Sequence, residues 1–181
     1  MAAWLLERVL DLLLVLVTFD KSDPGWFHST GSAAARNAGG RAGAWLSELL
    51  LYLFGVSAYW VVALLGYIVV AGYRRLDGSR LLDKRSLIVA LAGFVVLLVA
   101  SSGLEALRFY TIKVALPLAP GGMLGAMVSG SFSAAFGFTG ATRILLTLFA
   151  IGISLFTGVS WLSAIELTGA ALEAAYDFLL Y

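Results

Sequence analysis

The sequence contains no cysteine and a single histidine, His28. Without cysteine there is no disulfide framework, no thiolate metal site and no cysteine nucleophile. One imidazole does not make a metal cluster or a histidine-dependent triad, because such sites draw on several converging ligands or on a base beside its nucleophile. Charge is scarce too: 13% of residues are Asp, Glu, Lys or Arg, against about 25% in a water-soluble domain. The 12 basic and 11 acidic residues leave a net charge of +1, so no general attraction to nucleic acid or to acidic substrates is expected. A phosphate-binding loop is missing as well. It needs Gly-x4-Gly-Lys followed by Ser or Thr, so that backbone amides cradle the phosphates beside a lysine, and none of the 20 glycines begins such a run. No catalytic residue, metal ligand or cofactor is expected in this segment.

What the chain has in abundance is apolar sequence. Its 181 residues are 61% hydrophobic and its mean hydropathy is +0.95, a composition for a bilayer that excludes a soluble enzyme, a nucleic-acid-binding domain and a disordered tail. A helix rises 1.5 Å per residue and the hydrocarbon core is about 30 Å thick, so a crossing takes about 20 apolar residues. Four stretches are candidates: residues 4–19, 45–73, 87–107, and a fourth from Ile144 to about Ile165. The first is short and carries Glu7, Arg8 and Asp11; it is read as a retained helix, since Phe19-Asp20-Lys21-Ser22 does not fit a signal-peptide cleavage site. The fourth divides at Thr157-Gly158-Val159-Ser160-Trp161, where Gly and Ser break a helix and Ser160 can cap a new one. That leaves a span over 143–158 and an amphipathic helix over 161–181, with Glu166, Glu173 and Asp177 on one face and Trp161, Ile165, Leu172 and Leu179 on another.

The expected fold class is thus an all-α integral membrane bundle of four transmembrane helices over residues 1–160. The Gly- and Ser-studded run Met123 to Phe138 is expected as an external interfacial or re-entrant helix. The short loop 74–86 carries Arg74, Arg75, Arg80, Lys84 and Arg85 and reads as a topology signal that places it, and both termini, in the cytoplasm. A full count of basic residues near the span ends balances at six on each side, so the density of this loop carries the assignment.

Several strings point further. Phe19-Asp20-Lys21-Ser22-Asp23-Pro24-Gly25-Trp26, Asn37-Ala38-Gly39-Gly40-Arg41-Ala42-Gly43-Ala44-Trp45-Leu46, Leu53-Phe54-Gly55-Val56-Ser57-Ala58-Tyr59, Gly121-Gly122-Met123-Leu124-Gly125 and Leu155-Phe156-Thr157-Gly158-Val159-Ser160-Trp161 follow one another in order. Together they resemble the four-helix membrane domain of the bacterial FtsK/SpoIIIE DNA translocase family. The first helix, with Glu7, Arg8 and Asp11, departs from that family's more uniformly apolar one. The resemblance implies a non-catalytic anchor at the division septum of the inner membrane, assembling with itself, as a hexamer, and touching other division-site membrane proteins. DNA would be met only through an ATPase motor C-terminal to this segment, so the chain looks like the first part of a longer protein. A small independent transporter or channel is the competing reading.

Particular residues follow from these readings. Asp20, Asp23, Pro24 and Trp26 could present an external surface to a partner, or form a rigid turn with Trp26 in the interfacial aromatic belt. Asn37, Gly39, Gly40, Gly43 and Gly55 are expected to cap helices and allow their close approach. Asp11, Glu48 and Glu105 are acids inside or beside apolar runs, where an unpaired charge is costly. Glu48 and Glu105 are expected at the external interface, and Asp11 deeper and paired with Arg8 or with another helix.

Overall fold

The computed structural model of the chain describes residues 2–26, 35–76, 84–109 and 116–180. Every regular element among them is helical: α1 (Ala2–Val17), α2 (Gly40–Phe54), a 3-10 turn (Gly55–Ala58), α3 (Tyr59–Leu76), α4 (Lys84–Arg108), α5 (Gly122–Thr157) and α6 (Trp161–Leu180). Among the described residues, three stretches are long and apolar enough to cross a membrane: Gly40–Gly72, Leu87–Arg108 and Gly122–Thr157. The 16 residues of α1 rise about 24 Å, short of a hydrocarbon core of about 30 Å.

Two boundaries correct the sequence reading. The helix expected over 45–73 starts at Gly40 and breaks at Gly55, whose φ of 62° no ordinary helical residue adopts. The interfacial run and the fourth span expected as separate pieces are joined in α5, and the backbone leaves helical geometry at Gly137 (φ 69°, ψ 169°). That position separates a first arm, 122–136, from a second arm, 138–157. Residues 139–142, unassigned from sequence, are helical.

Contacts show how these bent helices lie. Asn37, Gly39 and Gly43 all meet α1 at Val15, and Leu51 shares a core cluster with Leu16. Positions spread along α2 thus touch one turn of α1, so α2 crosses the end of α1 while α3 turns back along it. The α5 helix repeats this arrangement on α4. In the first arm Gly125 abuts Ser102, Val128 abuts Gly103, and Phe132 packs on the cluster of Leu107. In the second arm Leu145 again meets Gly103, then Gly152 meets Leu97 and Phe156 meets Gly93. The first arm therefore stays at the level of residues 102–107 of α4, and the second arm descends along it.

Interior packing combines apolar clusters with backbone proximity. Phe94, Leu97, Leu98 and Phe156 form one cluster against Trp60, Val61 and Tyr67 of α3. The α4–α5 interface is the most extensive among the described helices, because glycines let the helices touch: a Cβ on Gly152 would lie 2.7 Å from the Leu97 nitrogen, and one on Gly93 2.5 Å from the Phe156 nitrogen. In lipid, where burial of apolar surface drives little association, such close packing is a main source of helix–helix affinity.

At the other end, Gly158 (φ 73°) stops α5, its N–H bonded to the Ser154 carbonyl. α6 then begins at Trp161, whose indole N–H donates to the Ala150 carbonyl at 3.0 Å. Arg74 and Arg75 fall in the last turn of α3, and Lys84 and Arg85 in the first turn of α4. Arg80 and His28 lie outside the described residues.

Candidate functional site

The buried polar residues among those described gather in two nodes at the level where the bent helices turn. The first joins the end of α1, the loop 18–26 and the start of α2. Asp23 is buried and accepts the Arg36 N–H at 2.7 Å and the Asn37 N–H at 2.8 Å. The Asn37 side chain donates to the Val15 carbonyl at 2.8 Å and accepts the Gly39 N–H at 2.9 Å. Asn37 therefore does not cap α2 as expected. It ties the loop to α1 three residues ahead of the helix, and the capping position is Gly39, which makes no side-chain bond. Gly39 and Gly43 do permit the close approach: a Cβ on either would strike Val15, at 2.6 and 3.1 Å. Gly40 sits in the left-handed region at φ 61° in open space.

Glu48, expected at an interface, is buried under the same loop, and its carboxylate accepts the Trp26 N–H. The cause is local: Pro24 and Gly25 turn the chain so that the next amide points down at α2, and a larger residue at Gly25 would collide with the Glu48 carboxylate. Of the loop residues proposed as a partner surface, Asp23 and Pro24 are buried and present nothing to a partner. Trp26 is 65% exposed and meets Trp45 edge to face at 6.0 Å. Asp20 faces outward with Arg36 at 3.3 Å. Its carboxyl is held below the ordinary value of 3.8 by the Ser22 N–H, then by the Ser22 hydroxyl and by Arg36.

The second node joins α4, the 3-10 turn and the head of α5. Glu105 is buried and accepts the Ser57 hydroxyl on one oxygen and the Gly121 N–H, at 2.9 Å, on the other. The backbone amides of Val56 and Ser57 also bond to it. Ser57 lies 2.6 Å from Ser101, and the Ser102 hydroxyl donates to the Phe54 carbonyl at 3.4 Å. The glycines complete the junction, since a Cβ on Gly122 would lie 2.6 Å from the Gly55 nitrogen. Three helices that are distant in sequence are thus tied by one carboxylate.

Asp11 has neither kind of setting. It is 59% exposed and pairs with Arg8, at 3.5 Å, one turn away; Arg8 lies over the Trp4 ring. Sequence reasoning missed Ser47, Ser57, Ser101 and Ser102, although a serine inside an apolar run is itself a signal, because its hydroxyl needs a partner there. No group of acids and histidines among the described residues could hold a metal. What the described residues offer is rigid joints between helices and an exposed aromatic and ionic loop surface.

Comparison with known proteins agrees with the strings quoted above. A family model described as the 4TM region of DNA translocase FtsK/SpoIIIE matches residues 3–169. DNA translocase FtsK 2 of Ralstonia nicotianae is 42% identical over 95% of this chain, a match that covers 23% of that protein. DNA translocase FtsK of Shewanella oneidensis is 32% identical over 87% of the chain and 17% of its own length. The chain thus spans about a quarter or less of these curated relatives. No solved structure matches it.

Proposed function

Because the chain belongs to the family of the 4TM region of DNA translocase FtsK/SpoIIIE, we propose that it anchors and helps to assemble a DNA-pumping ATPase in the bacterial inner membrane at the division septum. The segment itself is non-catalytic in this reading and carries no cofactor. The observation that carries it is the family match over residues 3–169, laid on a bundle whose polar groups serve as joints. Four crossings, by α1 where the bilayer thins to match its shorter rise, by α3, by α4 and by the second arm of α5, leave both termini cytoplasmic and the motor following α6. Tethering raises the local concentration of the motors, so that weak contacts between copies suffice for a ring, a hexamer in the family implied above. The exposed loop surface of Trp26, Asp20 and Arg36 meets other division proteins on the outer side.

Nothing favours a transporter over this anchor. Asp11 lies exposed on α1, and Glu48 and Glu105 are each enclosed in separate nodes with their own donors. A fluorescent protein fused after Tyr181 and imaged in dividing bacterial cells tests the reading, since such a reporter glows only in the cytoplasm. A band at midcell is the expected result. Even fluorescence around the whole membrane would overturn the septal role, and a dark but expressed fusion would overturn the even number of crossings.

A further inference from the structure

The two bent helices are copies of one another. Shifted by 82 positions, residues 39–55 and 121–137 coincide at Gly39/Gly121, Gly40/Gly122, Gly43/Gly125, Ala44/Ala126, Ser47/Ser129, Phe54/Phe136 and Gly55/Gly137. The backbone repeats at two of these positions: Gly40 and Gly122 have φ of 61° and 60°, and Gly55 and Gly137 have φ of 62° and 69°, while Gly39 and Gly121 differ, at −87° and 81°. At the same shift Asp23 corresponds to Glu105: Asp23 accepts the N–H groups of Arg36 and Asn37, just ahead of its glycine pair, and Glu105 accepts that of Gly121, the first glycine of its own pair. The domain is therefore two like-oriented units, α1–α2–α3 and α4–α5, each a helix, a crosswise arm and a returning helix.

Within the chain the units meet head to tail. The end of the first crosswise arm, Phe54-Gly55, seats its backbone on Gly121-Gly122, while Val61 of α3 packs on the α4 cluster of Phe94, Leu97 and Leu98. The glycine parts of these two surfaces recur at the outer ends of the pair and are open there, whereas Val15 and Leu16 of α1 are already buried within the chain. Among the described residues, nothing lies within 4 Å of a Cβ built on Gly137 or on Gly40. Phe136 and Phe138 are 57% and 48% exposed, and on α1 so are Leu10 and Leu14, at 50% and 51%.

We propose that copies of this chain join through a repetition of that internal contact, with Phe136-Gly137-Phe138 of one copy seated on Gly39-Gly40 and α1 of the next. A contact between unlike surfaces propagates in one direction and closes into a ring when the rotation allows. Charge fits the docking. The shift places exposed Arg143, the counterpart of Val61, at the outer edge of α1 beside exposed Asp11. Arg8 and Asp11, exposed in a single chain on a helix meant for the membrane, gain a protein neighbour, the usual setting for charges at that depth. The inference rests on the reading of the chain as a self-assembling anchor and names the surface that does it.

The absence of cysteine makes cross-linking the natural test. In bacterial membranes, Leu53→Cys with Met123→Cys should be joined within one chain by a short bis-maleimide. The shifted pair, Ala135→Cys with Arg41→Cys, should instead give a ladder of covalent oligomers, and either single variant none. Arg143→Asp should abolish the ladder and Asp11→Arg, added to it, should restore it. An internal cross-link without a ladder, in copies that photobleaching counts as oligomeric, would overturn this interface and leave self-assembly standing. Copies counted as monomers would overturn both. Should a cysteine pair fail to insert, Ala135→Trp decides, because it leaves the single chain unobstructed at an exposed position: oligomers persisting unchanged would refute the docking.

Discussion

Glu105 offers the sharpest test of how the bundle is held. Replacing it with Ala removes the acceptor of the Ser57 hydroxyl, of the Gly121 N–H and of the amides at Val56 and Ser57. Each buried donor left without a partner costs about 1–3 kcal/mol. Ser57 can still turn to Ser101, 2.6 Å away, so the amides dominate, and the expected loss is about 2–5 kcal/mol. Glu105→Gln keeps one acceptor oxygen but sets an NH2 group against a donor, for a loss of about 1–2 kcal/mol. Unfolding of the purified chain by SDS in mixed micelles, followed by circular dichroism, reads both values. Combining Glu105→Ala with Ser57→Ala should cost less than the sum of the two, because they share a bond. An alanine variant within about 0.5 kcal/mol of the parent, or a Gln variant weaker than Ala, would refute the idea that this carboxyl ties three helices.

Other consequences can be read in the same assay. Gly122→Ala adds a Cβ 2.6 Å from the Gly55 nitrogen at φ 60°, and should lower stability by several kcal/mol or prevent folding, whereas Gly66→Ala, with open space around it, should be neutral or stabilising by up to about 1 kcal/mol; equal effects would contradict the packing. Asn37→Ala frees the Val15 carbonyl and the Gly39 N–H and should cost about 1–3 kcal/mol, with Asn37→Asp no better because a carboxylate cannot donate to Val15. The Asp20 carboxyl, held low by Ser22 first and Arg36 second, should titrate below 3.8 by carbon-detected NMR. Since its folded value is depressed, the stability it lends is present above the unfolded value and lost as pH falls through the folded one; salt should weaken the Arg36 share alone. A midpoint at or above 3.8 would contradict the loop geometry.

Much of this architecture is local and so was legible in the chain. A run such as Leu87 to Leu107 is apolar over a membrane's thickness wherever it sits, Gly158 stops a helix by its own backbone freedom, and Asp23-Pro24-Gly25-Trp26 turns because proline and glycine do. The internal repeat was legible too, at a spacing of 82 residues, but seven identities scattered among small residues stood out only once Gly55 and Gly137 were seen to bend the backbone alike. What composition and spacing could not decide is where buried polar groups find partners. Glu48 and Glu105 look like interfacial acids from their places near the ends of apolar runs. Their donors come from Trp26, from Ser57 and from Gly121, far away along the chain and brought near only by the crosswise arms. Hydropathy is a property each residue carries with it, whereas satisfying a buried carboxyl depends on which backbone amides the rest of the fold delivers to it, and that was settled by the tertiary structure alone.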